Sequence, residues 1–279
     1  MEKAFWQLIK ARDLEPPEGH TTVDLVPELM AGLGSLDPEL RDNLCYEILG
    51  GWVEQGRFSA DQLRGLAAHL MANLKSGLGE AEQDGVFLRS FSVLILVEIV
   101  HYDGKHRLFR TEEVLRILDE AITYLASERD LRGFVPDKGW AHSVAHTANL
   151  MTALAAHPAL GEAGLVRLLD AIRARVQAQT AYPFVDREPF RLARAVIAAA
   201  RRPELPVHRM RAWFMGFVGA EHLLDSFVPG RDSVCYHNTE SFLAAVHWML
   251  TFKELPEESR AELLEAAHAA LAWHFPWDA

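Results

Sequence analysis

Two histidines, His142 and His146, stand four residues apart in the segment Glu128 to Leu150, ERDLRGFVPDKGWAHSVAHTANL. On a helix that spacing sets two imidazoles on one face, with Cβ atoms ~6 Å apart. Such a pair can chelate a divalent, zinc-like ion if a third ligand arrives from elsewhere. It can also hold an anion or work as acid and base. The general-base Glu that zinc proteases carry between two such histidines is missing. The plain alternative is a pair of core histidines bonded to backbone carbonyls. Gly133, Pro136 and Gly139 make the first half of the segment turn-rich, and Lys138 and Trp140 lead into the histidines.

Further on, Arg187, Arg191 and Arg194 share a helical face and are followed by Arg201, Arg202, Arg209 and Arg211. They read either as a phosphate-gripping face or as a solvated face paired with Glu188 and Glu204. His237 and Glu240 form an i, i+3 pair beside Asn238, although a first-turn carboxylate is also what a helix dipole favours. Cys45 and Cys235 sit among apolar residues and read as buried, reduced thiols.

The elements that must position these groups are helices. Ser59 with Gln62 makes a capping box, Asp37-Pro38 opens a helix, and Thr111-Glu112-Glu113 opens another. Apolar periodicity predicts helices over about 3–13, 22–33, 38–55, 60–76, 85–101, 112–127, 139–156, 162–179, 187–201, 207–228, 236–252 and 257–274. Gly50-Gly51 is either a break or a close-packing point inside its helix. Trp213, Phe214 and Phe217, and Trp248 with Phe252, recur at helical spacing and are expected in the core. Hairpin signals are nearly absent. Five helix pairs start about 47, 54, 48 and 49 residues apart, near the ~40–47 of HEAT and armadillo repeats. The expected fold is all-α: one domain over residues 1–279, an α-solenoid of paired antiparallel helices, with a closed α/α toroid as the alternative. In a stacked array the starts of successive first helices form a row. Arg89 and Ser90, His142 and His146, Arg187 and Arg191, and His237, Asn238 and Glu240 would then converge on one groove.

The stretches Phe87–Leu94, Asp130-Leu131-Arg132-Gly133 with Lys138–His146, and Asn238 with Ser241-Phe242-Leu243 resemble the bacterial helical proteins catalogued as domain of unknown function 2785. The resemblance covers most of residues 85–250. It implies an all-helical fold and carries no activity. Where that family often closes the middle stretch with an acidic residue, Asn149 stands here, which takes a carboxylate from the histidine face.

The chain has 279 residues, 28 Lys+Arg against 39 Asp+Glu, a net charge of −11 and two cysteines. That balance makes a nucleic-acid or anionic-membrane partner unlikely, since both need a basic footprint. No signal peptide and no apolar run of ~20 residues is evident, so a cytoplasmic protein is expected. Phosphate-loop, dinucleotide, nucleophile-elbow and CxxC signatures are missing. The aromatic tail, Ala272 to Asp278, is a candidate for homodimer contact. The reading is a small ligand, an anion being one candidate, bound in a polar groove lined by Arg89, Lys138, Trp140, His142, His146, Arg187, Arg191, His237, Asn238 and Glu240. A metal- or His-dependent hydrolase or lyase and a protein-interaction scaffold are the alternatives.

Overall fold

A computed structural model describes residues 1–219, 231–252 and 255–274, with the side chains of 231 and 232 left aside. Its described residues form twelve α-helices, one π-helical turn and a single two-stranded sheet, so the fold is all-α. The chain divides into two compact units, Met1–Leu150 and Met151–Ala279.

The first unit holds α1 (Lys3–Lys10), α2 (Thr22–Gly32), a π-helical turn (Glu39–Tyr46) running into α3 (Glu47–Glu54), α4 (Ala60–Asn73), α5 (Gly85–His106) and α6 (Thr111–Ser127). Capping chemistry sets these starts. The Ser59 hydroxyl accepts the Gln62 amide while Gln62 returns the bond, as predicted. The Asp37 carboxylate accepts the amides of Glu39 and Leu40. Glu113 accepts the Arg110 amide, and this bond with Arg110 and Arg64 draws its carboxyl down to about 2. Gly50 and Gly51 lie inside α3 as packing points: a side chain at Gly51 would collide with Leu14, and one at Gly50 would press on Glu98.

Helix α5 is the axis of this unit. It is long and apolar enough to cross a membrane, longer than its sequence pattern predicts, yet most of it is buried in the core. Asn73 of α4 bonds Ser92, and Ser76 just beyond α4 bonds Arg89, so α4 and α5 run antiparallel. Arg64 and Lys75 meet Glu113 and Glu120 of α6, so α4 and α6 run in the same sense.

A sheet was not expected. Phe134–Val135 (β1) pairs antiparallel with Gly139–Trp140 (β2), Phe134 opposite Trp140. Asp137 and Gly139 both take positive φ to turn the chain. The helix predicted from 139 therefore starts later, as α7 (Ser143–Ala156).

The second unit holds the end of α7, then α8 (Glu162–Val176), α9 (Glu188–Ala200), α10 (Val207–Met215), α11 (Arg231–Phe252) and α12 (Glu257–His274). Part of the helix expected over 207–228, and the aromatic tail beyond His274, lie outside the described residues. Helix α9 packs on α11. Trp213, Phe214 and Phe217 are buried with Phe242, as their spacing predicts. Trp248 and Phe252 are not in the core: they are 52% and 68% exposed. Their helical spacing puts them on one face, but that face is open to solvent.

Candidate functional site

In the first unit the hairpin and the start of α7 are braced from several sides. The amides of Ala141 and His142 donate to the carbonyls of Gly133 and Arg132. The Ser143 hydroxyl donates to Asp130 O, and the Arg132 guanidinium grips the Asp130 carboxylate. Buried Arg41 donates to Ser35 O and Lys138 O and lies over the rings of Phe87 and Phe91, 4.3 and 4.7 Å from their centroids.

His142 is not helical. Its φ of 50° is left-handed, and its carbonyl accepts the first amide bond of α7, from His146. The two imidazoles still meet, with centroids 5.6 Å apart. Trp140 stacks on His142 at 4.2 Å and 3°, and Phe91 sets its edge to His146 at 5.3 Å. Nδ1 of His146 lies 3.3 Å from the Ser90 carbonyl. Both histidines are buried. Among the described residues no third His, Cys, Asp or Glu joins them in a group able to hold a metal. The donor set is two imidazoles, one aimed at a carbonyl and one under an indole, which does not fit a three-ligand zinc site.

The cations expected to bind ligand here are occupied internally. Arg89 donates Nε and Nη2 to Glu128 at 2.6 and 3.0 Å and Nη1 to Ser76 O at 2.9 Å, with both side chains buried. Lys138 Nζ sits 2.7 and 2.8 Å from the Asp84 carboxylate. This segment exposes two large aromatics, Phe134 and Trp140, packed edge to face at 5.1 Å, beside exposed Pro136 and Asp137. A separate, apolar cavity of about 280 Å³ opens between α2 and α4, lined by Val23, Val26, Pro27, Met30, Phe58, Leu66 and His69 among others.

The second unit holds the other candidates. Asn238 is buried and structural: its Oδ1 accepts the Phe184 amide at 2.7 Å and its Nδ2 donates to Tyr182 O at 3.2 Å. It thereby pins the loop that feeds α9 to α11. Asp186 in that loop accepts from the Tyr182 hydroxyl, and its amide donates to Glu188. His237 is exposed and Glu240 half-buried. Burial pushes the Glu240 carboxyl up, and the charge of His237 draws it partly back.

Arg187 precedes α9 in a left-handed conformation, φ 72°. Arg191 follows one turn on, half-buried, and Arg194 one turn later. The expected pairing of this face with Glu188 and Glu204 is not what forms. Glu204 binds Arg202, and buried Glu188 turns back to the Asp186 amide. Among the described residues none of the three guanidiniums makes a hydrogen bond or an ion pair. Burial lowers the pKa of Arg191, repulsion from Arg187 and Arg194 lowers it further, and Glu188 opposes. The neighbouring arginines of this unit differ: Arg173, Arg202, Arg209 and Arg211 each hold a carboxylate.

Sequence reading missed Arg41, Asp84 and Glu128, whose importance lies in partners 39 to 97 residues away. It also missed the exposed aromatics, because periodicity marks a face without saying what covers it.

Fold and side chains define a class: an all-helical protein whose only described sheet is a short hairpin, with Arg89 and Lys138 ion-paired in the first unit and, among the described residues, an arginine face without carboxylates in the second. Within that class the chain belongs to the family described as protein of unknown function (DUF2785), whose model matches residues 74–252. The match takes in α5 through α11, and so the hairpin, the histidine pair and α9. No curated protein and no solved structure matches the chain.

Proposed function

We propose that this is a binding protein rather than a catalyst, and that its ligand is a small molecule carrying a phosphate-like anion. The anion docks on α9 at Arg187, Arg191 and Arg194. One observation carries the reading: these three guanidiniums lack a counter-ion among the described residues, whereas Arg89 and Lys138 each hold a carboxylate. Planar guanidiniums suit a multiply charged oxyanion, which they bind through short, charge-assisted bonds. An incoming anion would also relieve the repulsion among them. The binding is placed in the cytoplasm, supported by two buried cysteines that carry no disulfide.

Calorimetric titration of the full chain with inorganic phosphate and pyrophosphate, at low salt, tests this. Both bind, pyrophosphate more tightly. R191Q/R194Q weakens both at least tenfold, because each charge-assisted bond contributes ~1.5–3 kcal/mol. Undetectable binding at millimolar anion, or unchanged binding in the folded double variant, refutes the reading.

A further inference from the structure

The arginines of α9 do not stand on a purely polar face. At 3.6 residues per turn, positions 190, 191 and 194 of α9 fall within an arc of about 100°, and Arg187 stands at the N-cap of the helix. Phe190 therefore lies at one edge of that arc, beside Arg194, and it is 44% exposed. Its ring meets Trp248 of α11 edge to face, centroids 6.1 Å apart, and Trp248 in turn meets Phe252 at 5.1 Å. Three exposed rings in contact, 44 to 68% accessible, border a cluster of arginines that holds no carboxylate among the described residues.

Exposed aromatics have a price in hydration, and a second planar group stacked on these rings would remove part of it. Guanidiniums bind the oxyanion and rings stack on the base: that is the pairing of chemistries by which nucleotides are held. Resting on the anion reading above, we propose that the ligand is a phosphorylated planar ring, a nucleoside phosphate in its chemistry. Its phosphate lies on Arg187, Arg191 and Arg194, and its ring on Phe190 and Trp248. A single-stranded polynucleotide offers the same two groups, but a chain of net charge −11 repels a polyanion beyond the first contacts. The small ligand is therefore favoured.

The test is calorimetric titration of the full chain with adenosine 5′-monophosphate, adenosine, inorganic phosphate and a ten-residue oligodeoxyadenylate. Trp248→Leu, Phe190→Leu and R191Q/R194Q are titrated alongside, each checked by circular dichroism and melting. These side chains are exposed or half-buried, so the variants are expected to fold. The nucleotide binds roughly tenfold tighter than phosphate. W248L and F190L each shrink that ratio toward one, and R191Q/R194Q weakens nucleotide and phosphate together. Phosphate and nucleotide binding with equal affinity overturns the ring inference and leaves the anion reading standing. Binding of neither overturns both. An oligonucleotide that binds more tightly than the mononucleotide, with a steep salt dependence, overturns the small-ligand assignment in favour of nucleic acid.

Discussion

Arg89 decides between two roles that its place in the sequence left open. As a ligand group it would bind an anion and add little to stability. The structure gives it a buried bidentate bond to Glu128 and a third bond to Ser76 O. Glu128 accepts, besides these, the amides of Arg129 and Asp130, each at 3.0 Å. Removing one partner strands a charge in the interior, which costs about 3–5 kcal/mol. The two single variants should not cost the same. R89M leaves Glu128 with its two backbone donors. E128M leaves the guanidinium with one carbonyl and also orphans two amides, each worth about 1 kcal/mol. E128M is therefore the more damaging by about 1–2 kcal/mol. The double variant R89M/E128M strands no charge, so it costs less than the sum of the singles by about 2–3 kcal/mol.

The assay is urea unfolding read by hydrogen exchange at the amides of α5 and α6, which keeps the second unit out of the signal. In thermal terms a single variant should lose on the order of 10 °C. The reasoning is refuted if R89M unfolds within ~1 kcal/mol of the parent, or if the two substitutions are additive. R89M that is fully stable but blind to phosphate would return Arg89 to the ligand site.

Three further outcomes follow from local geometry. Gly139→Ala forces a side chain into a positive-φ position with Pro38 Cβ and Arg41 Nη2 only 3.0 and 3.1 Å away, so melting should show a loss of about 2 kcal/mol. Asn238→Ala frees the Phe184 amide and the Tyr182 carbonyl. It should cost about 2–3 kcal/mol and raise exchange at Phe184, while Asn238→Asp keeps the acceptor and recovers part of the loss. Burial holds His274 down to about 4, below the 6.5 of a free imidazole. Between those values the unfolded chain takes up a proton that the folded chain refuses. Stability from this group is thus whole above pH 6.5 and falls as pH drops toward 4, by up to ~1.4 kcal/mol per unit. Unfolding curves across that range should show the slope, and His274→Phe should flatten it.

Most helices could be read from the sequence because their signals are local. The Ser59–Gln62 capping box and the twelve apolar-periodic segments need only residues three or four apart. The hairpin could not be read, since two-residue strands carry no alternation and its turn depends on positive φ at Asp137 as well as Gly139. His142 was placed in a helix for the same reason, one turn too early. For the site, residue type was legible and role was not. Arg89 sits in the first turns of α5, Lys138 in the hairpin turn and Asn238 beyond the first turn of α11, and each bonds a partner 39 to 56 residues distant. Trp248 and Phe252 show the converse. Their spacing finds the face correctly, and only the neighbouring helices reveal that nothing described covers it.

The unpaired arginines of α9 are not a consequence of scarcity. With 39 carboxylates to 28 basic side chains, an average arginine in this chain finds an acid, and four others of the second unit do. The carboxylate of α9 itself, Glu188, is buried and turned to a backbone amide, where burial raises its pKa and weakens it further as a counter-ion. Arg187 is held in a conformation that costs a side-chain-bearing residue roughly 1–2 kcal/mol. Three guanidiniums thus stand together against both repulsion and backbone strain. An interaction absent from the free protein is the economical way to offset that cost, which is why the anion on α9, rather than the histidine pair, carries the functional reading.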